Sequence, residues 1–150
     1  MSAVQLKVMK LDEHATLPTF GTEGAACFDL YANLPGGIVS NVCRPHQRLT
    51  IDTGLAFEVP PGHALMIYSR SGQGFNDNTR LSNCVGVIDS DYRGEVRVAL
   101  TRDDGEGLFI HHGDRIAQAM LIPVPTVLLE EVEELSPTKR GTGAYGSTGR

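Results

Sequence analysis

The sequence predicts an all-β domain, a barrel or a sandwich. Three observations carry this. Short runs of Val, Ile, Leu and Tyr alternate with polar residues at period two. Turn residues separate these runs at close spacing, and glycine is 17 of 150 residues against a usual share of about 7%. Helix candidates are few, since Pro123 and Pro125 interrupt the apolar segment that follows Arg115. Short strands repeated in this way suit barrel or sandwich architectures.

Residues 4–11 (VQLKVMKL) read as the first strand, and 14–24 as a loop with Pro18. Residues 25–32 (AACFDLYA) place one carboxylate, Asp29, among small and apolar side chains. It is either an exposed strand residue or a carboxylate fixed next to a cation site. Residues 34–45 read as a loop. Leu49, Ile51, Leu55, Phe57 and Val59 then share one parity with Thr53, while Arg48, Thr50, Asp52 and Glu58 take the other. This predicts a half-buried strand pair broken near Thr53 and Gly54. Pro60, Pro61 and Gly62 turn the chain, and 63–68 (HALMIY) form another strand. Ser69-Arg70-Ser71-Gly72 follows directly. Ser71 is placed to cap a helix, and free amides beside a fork-shaped guanidinium suit phosphate, although an ordinary polar turn is the plainer reading. Residues 75–82 are polar, one helical turn or loop.

The densest chemistry lies in residues 83–96 (NCVGVIDSDYRGEV). Val85 to Ile88 read as a strand that ends at Asp89. Five turn residues follow, and Val96, Val98 and Leu100 alternate with Glu95, Arg97 and Thr101 in a second strand. The pattern predicts a β-hairpin. A purely structural hairpin needs only turn formers there, yet this one carries an acid, a phenol and a guanidinium. The acidic turn at 103–107 reads as a solvated loop, and 108–110 as a strand. His111 and His112 are neighbours pointing to opposite faces, a poor zinc chelate. Residues 116–124 are apolar with one amide, Gln118. Residues 126–135 fit helical and strand spacing equally. The last eleven residues, RGTGAYGSTGR, read alone as a flexible tail. They lack the lysine and following helix of a P-loop, but flexible amides, hydroxyls, arginines and one ring suit a nucleotide.

Composition narrows the classes. A net charge of −5 argues against a general nucleic-acid binder. No run of 18 apolar residues exists for a transmembrane helix. Cys27, Cys43 and Cys84 are odd in number and widely spaced, which fits reduced thiols better than disulfides or zinc. The N-terminal stretch lacks the pattern of a signal peptide, so a cytoplasmic location is expected, the host cytoplasm if the source is viral.

Taken together, five stretches resemble, in order, the motifs of the homotrimeric dUTPase family. They are residues 25–32, Arg70-Ser71-Gly72, residues 86–94 with Asn83 before them, residues 113–118 and residues 140–149. Three positions depart from the family pattern: Ser69 stands where proline is common, and Ala144 and Tyr145 stand for glycine and phenylalanine. The resemblance implies a jelly-roll β fold and a homotrimer with shared active sites. It divides the chain into a core at 1–139 and an arm at 140–150 that is exchanged and closes over a neighbour's site. It implies a dUTP diphosphatase yielding dUMP and pyrophosphate, which keeps uracil out of DNA and supplies the thymidylate precursor.

The roles implied by the resemblance are chemically sensible. Asp89 would be the general base that activates water. Asn83 and the backbone of Gly86, Val87 and Ile88 would read uracil, and Tyr92 would pack against the deoxyribose. Arg70, Ser71 and Gly72, helped by Gln118, would hold phosphates. Arg140, Gly146, Ser147 and Thr148 of the arm would grip the terminal phosphates, with Tyr145 stacked on the base. Asp29 would face Mg²⁺ through water, the ion being held mainly by the triphosphate. No nucleic acid or membrane partner is implied. The alternatives are a dCTP deaminase-type relative, which needs a glutamate at the pyrimidine, a nucleotide-responsive regulatory protein, and a structural jelly roll.

Overall fold

The structure is a computed structural model that describes residues 3–36, 40–42, 48–104, 107–147 and 149, the backbone alone at 40–42. Thr148, Cys43 and part of the acidic turn (Gly105, Glu106) lie outside the described residues. In chain order the elements are β1 (Lys7–Lys10), β2 (Thr19–Phe20), β3 (Phe28–Tyr31), β4 (Ser40–Val42), β5 (Arg48–Glu58), β6 (His63–Tyr68), α1 (Ser71–Asp77), β7 (Thr79–Leu81), β8 (Val85–Ile88), β9 (Glu95–Arg102), β10 (Leu108–Ile110) and β11 (Arg115–Pro123). They form a four-stranded sheet in the order β1-β5-β9-β7, a five-stranded sheet in the order β2-β3-β11-β6-β8, and a β10-β4 pair. All pairings are antiparallel.

Period-two patterning explains the core. Val96, Val98 and Leu100 of β9 are buried while Arg97 is exposed. In β6, Leu65 and Ile67 are buried and Met66 and Tyr68 lie half out. These residues join Leu30, Leu55, Phe57 and Ile116 in one apolar cluster fed by both large sheets. The all-β expectation holds, and the sheets make a sandwich around that cluster.

Several local expectations are corrected. The segment expected to break at Thr53-Gly54 is one strand with a bulge: Asp52 pairs with Arg97, and the next pair is Ala56 with Glu95. Three β5 residues therefore face one β9 residue. Thr53, fully buried, donates from Oγ1 to the Val96 carbonyl (2.6 Å) and accepts from the Leu55 N–H (3.3 Å). Gly54 has φ +66, and its N–H donates to Glu95 Oε1 (2.8 Å). The expected loop at 34–45 contains β4, whose Ser-Asn-Val sequence carries little strand signal and is made a strand by pairing with β10. The helix is present, but Arg70 occupies the N-cap without a side-chain bond, so Ser71 begins the helix instead of capping it. Residues 126–135 take neither regular form, and Val127, Leu128, Leu129 and Leu135 are exposed. His112 Nδ1 accepts the Leu34 N–H (3.1 Å). Among the described residues no helix is long and apolar enough to cross a membrane.

The expected hairpin at 85–100 is the largest correction. β8 pairs with β6 in the five-stranded sheet, and β9 pairs with β5 and β7 in the other. The chain turns at residues 89–94, but its two arms belong to different sheets. Alternation shows that both are strands and is silent on their partners, which long-range pairing decides.

The bulge yields a stability prediction. A Cβ on Gly54 would lie 2.7 Å from both Ala15 Cβ and Asn33 Nδ2, at a positive φ. Gly54→Ala should therefore cost about 2–4 kcal/mol, combining backbone strain with overpacking. Chemical denaturation checks this. A loss under about 0.5 kcal/mol would show that the bulge relaxes without cost.

Candidate active site

Two clusters and a tail hold the expected site residues. The first cluster sits where β3, β6 and β11 meet. Register places Gln118 of β11 opposite Asp29 of β3 on one side and Tyr68 of β6 on the other. Arg70, two residues beyond β6, donates from Nε to Asp29 Oδ1 (3.0 Å), and Arg115 donates from Nη1 to Oδ2 (3.3 Å). The Asp29 side chain is only 12% exposed, so two guanidinium partners compensate its burial. Asp29 is thus no exposed strand residue but a carboxylate fixed between cations. Gln118 Nε2 donates to the Ser69 carbonyl (2.9 Å), and Gln73 Nε2 to the Arg115 carbonyl (3.2 Å). The amide of Gln118 therefore braces the loop. A concavity of about 280 Å³ is lined by Ser69, Arg70, Ser71, Gly74, Phe75 and Gln118. The terminal nitrogens of Arg70 make no hydrogen bond to a described residue, and Ser71 and Gly72 are exposed. The free guanidinium nitrogens of Arg70 and the exposed Ser71 and Gly72 suit an anion.

The second cluster surrounds β8. Because β8 is the last strand of its sheet, one of its edges has no β neighbour among the described residues. Between it and the β7–β9 side lies a cavity of about 160 Å³ lined by Asn83, Gly86, Val87 and Ile88 together with Ile67, Leu81, Arg97 and Ala99. A side chain at Gly86 would bring a Cβ within 3.2 Å of Ile67 Cβ, which limits this wall to glycine or a shifted isoleucine. A larger concavity, about 450 Å³, includes Val87, Ile88, Asp89, Tyr92 and Glu95. Asp89 is exposed, and its carboxylate bonds to no described residue. The Tyr92 hydroxyl donates to the Glu95 carbonyl (3.0 Å). A Cβ on Gly94 would collide with the Tyr92 ring, so glycine at 94 is what lets the ring fold back over the turn.

Among the described residues the tail's hydrogen bonds stay local, and Gly141 donates its N–H back to Thr138 (3.1 Å). Arg140 Nε donates to the Gly143 carbonyl (2.9 Å), and the Ser147 N–H to the Ala144 carbonyl (2.8 Å). Gly141 and Gly146 have positive φ, whereas Ala144 does not, so alanine carries no strain there in this conformation. Tyr145 is fully exposed.

The structure thus gathers Asp29, Arg70, Ser71, Gly72 and Gln118 in one place and Asn83, Gly86, Val87, Ile88, Asp89 and Tyr92 in another. Arg140, Tyr145, Gly146 and Ser147 stand apart. Among the described residues no side-chain bond joins Asp89, Tyr92 or the tail to Arg70. Sequence reasoning did not single out Arg115 or Gly94 as site residues. Both lie inside stretches that resemble family motifs, Gly94 at the end of 86–94 and Arg115 within 113–118.

Among the described residues no group of three or more His, Cys, Asp or Glu side chains is arranged to hold a metal ion. Asp29, already shared by two arginines, has lone pairs left for water and is a poor direct ligand. This donor set fits a magnesium that arrives with phosphate and water ligands, and does not fit an all-protein cage.

A family model described as dUTPase matches residues 13–149. The deoxyuridine 5'-triphosphate nucleotidohydrolase of Nautilia profundicola is 43% identical over 147 residues, covering 98% of this chain and 100% of that protein. The same-named protein of Dinoroseobacter shibae is 44% identical over 141 residues, covering 93% and 91%. Among solved structures, a Staphylococcus bacteriophage 80alpha dUTPase with dUPNHPP superposes at TM-score 0.86 with 24% identity, over 99% of this chain and 100% of that one. A phage phi11 dUTPase variant, described for its coordination of a structural Mg(II) ion, gives 0.76 with 23% identity, over 87% and 98%. The two structures share the fold with this chain.

Proposed function

The chain belongs to the dUTPase family, and on that premise we propose that it hydrolyses dUTP to dUMP and pyrophosphate. The observation that carries the reading is the parting of β8 from β9. A base-sized cavity opens beside a sheet edge, with Asp89 unpaired at the end of the strand that lines it. The outward amides and carbonyls of β8, with Asn83, suit the hydrogen-bonding edge of a pyrimidine. Tyr92 covers the larger concavity next to Asp89, where a flat apolar face would leave little room for a 2′-hydroxyl.

The chemistry follows from the side chains. Asp89 accepts a proton from a water molecule as that water forms its bond to the α-phosphorus. The bond from the α-phosphorus to the bridging oxygen breaks, and pyrophosphate leaves. Arg70, oriented by Asp29, stabilises charge on the phosphate oxygens, with Ser71 and Gly72 beside it. Asp29 would hold a magnesium through water, and the ion would supply charge neutralisation to the phosphate chain.

Assembly belongs to the same proposal. One chain keeps its anion cluster, its β8 cluster and its tail apart, and a homotrimer would bring each from a different copy. Exposed Val127, Leu128, Leu129 and Leu135 support burial against a neighbour, as does an apolar groove of about 790 Å³ that includes Leu6, Phe20 and Leu121. Residues 140–150 then act as the arm over a site whose core lies within residues 1–139. A cytoplasmic location follows from the intracellular substrate. The deaminase alternative is disfavoured by Glu95, the glutamate that lines the concavity with Asp89, whose Oε1 accepts the Gly54 N–H and braces the bulge.

The first test is pyrophosphate release with Mg²⁺ from dUTP beside dCTP, dTTP and UTP. Release from dUTP alone is expected. Ammonia from dCTP, or equal use of UTP, contradicts the reading. The second is Asp89→Asn, which should lower kcat by about 10²- to 10⁴-fold while dUTP-analogue affinity changes little. Wild-type turnover in that variant would remove Asp89 from its role.

A further inference from the structure

Ser69 makes two hydrogen bonds to different elements and precedes the arginine of the anion cluster. Its carbonyl accepts Gln118 Nε2 from β11 (2.9 Å), and its Oγ accepts the Leu81 N–H from β7 (2.9 Å). β7 is the edge strand of the four-stranded sheet. Leu81 itself is buried at 2% exposure, so an amide that turned away from the sheet there would need a partner. The Leu81 carbonyl, in turn, accepts the Cys84 N–H (3.3 Å). That bond closes the turn that carries Asn83, and the Val85 N–H then donates to the Asn83 carbonyl (2.7 Å) as β8 begins.

From this chain of bonds we propose that Ser69 is a positioning residue whose hydroxyl couples the phosphate-holding loop to the base-reading turn. On one side lies Arg70, aimed by Asp29. On the other, two residues past Leu81, lies Asn83 in the wall of the base cavity. Where the family pattern has proline at this position, a ring stiffens the loop entry, but proline has no hydroxyl to accept the Leu81 N–H. Here a hydrogen bond supplies the stiffness and adds a link that a ring does not provide. Ser69 touches no reacting atom in this account. In the homotrimer proposed above, the loop serves one site and the turn a neighbouring one, so Ser69 ties adjacent sites together.

The inference rests on the dUTP reading of the site, and its test separates the two. Ser69→Ala should raise KM for dUTP about five- to tenfold, the loss of roughly one hydrogen bond, with kcat within about twofold. Affinity for dUMP should weaken alongside, because the base side shifts too. Ser69→Thr, which keeps the acceptor, should restore both. Exchange of the Leu81 amide should quicken in the alanine variant and return in the threonine variant. A lower melting temperature with unchanged KM, or Leu81 exchange unaffected by Ser69→Ala, overturns the proposal. If the wild-type protein turns over no dUTP, the functional reading fails on that result alone. Leu81 exchange and pyrophosphate affinity in the same variants then decide the coupling.

Discussion

Beyond Ile88 the chain leaves one sheet and enters the other, and the arrangement of the β8 cluster depends on that parting. Were β8 and β9 paired as a hairpin, their facing amides and carbonyls would satisfy each other and no cavity would open between them. Because β8 pairs, among the described residues, only with β6, its outer edge keeps hydrogen-bonding groups for the proposed base. Strand β9, in the other sheet, is meanwhile anchored by β5 through the Thr53 bulge, and Glu95 at its start is held by Gly54. The turn that carries Asp89 and Tyr92 therefore hangs between two fixed ends. Gly94 gives it the room to fold Tyr92 inward.

The anion cluster meets a different constraint. A protein of net charge −5 has no global field to draw a triphosphate, so attraction has to be local. Asp29 looks at first like an obstacle, a carboxylate in the cluster proposed to hold phosphate. Its burial between Arg70 and Arg115 makes it an orienting group instead: it fixes the guanidinium of Arg70 through Nε and leaves the terminal nitrogens outward. An unpaired arginine would sample many rotamers and bring less of its charge to bear on one anion. Gln118 performs a similar service for the loop backbone at Ser69.

Much of this was legible in the sequence, and what was not has a physical cause. Alternation over Arg48 to Val59 and Val96 to Leu100 exposed the strands and their buried faces, since period two is a local property. Alternation cannot choose partners, and so the hairpin at 85–100 was misjudged. In the sequence Gly54 signals a break as readily as a bulge, because glycine marks both, and only the position of β9 separates the two. β4 carries little local signal and depends on β10 for its form. The site residues were visible as motifs, whereas their grouping into separate clusters depends on which sheet each strand joins. The pairing of Asp29 with Arg115 spans 86 positions and leaves no trace in either neighbourhood.

The claim that ties fold to function is that Asp89 of one chain serves phosphates held by Arg70 of another. Mixing two defective proteins tests it most directly. Asp89→Asn and Arg70→Ala variants, each purified inactive, would be unfolded together, refolded as mixed oligomers and assayed for pyrophosphate release from dUTP. Shared sites predict that some mixed assemblies pair an intact Asp89 with an intact Arg70, so activity reappears. If the mixture stays as inactive as its components while size analysis shows that the chains have exchanged, each site lies within one chain and the account is wrong.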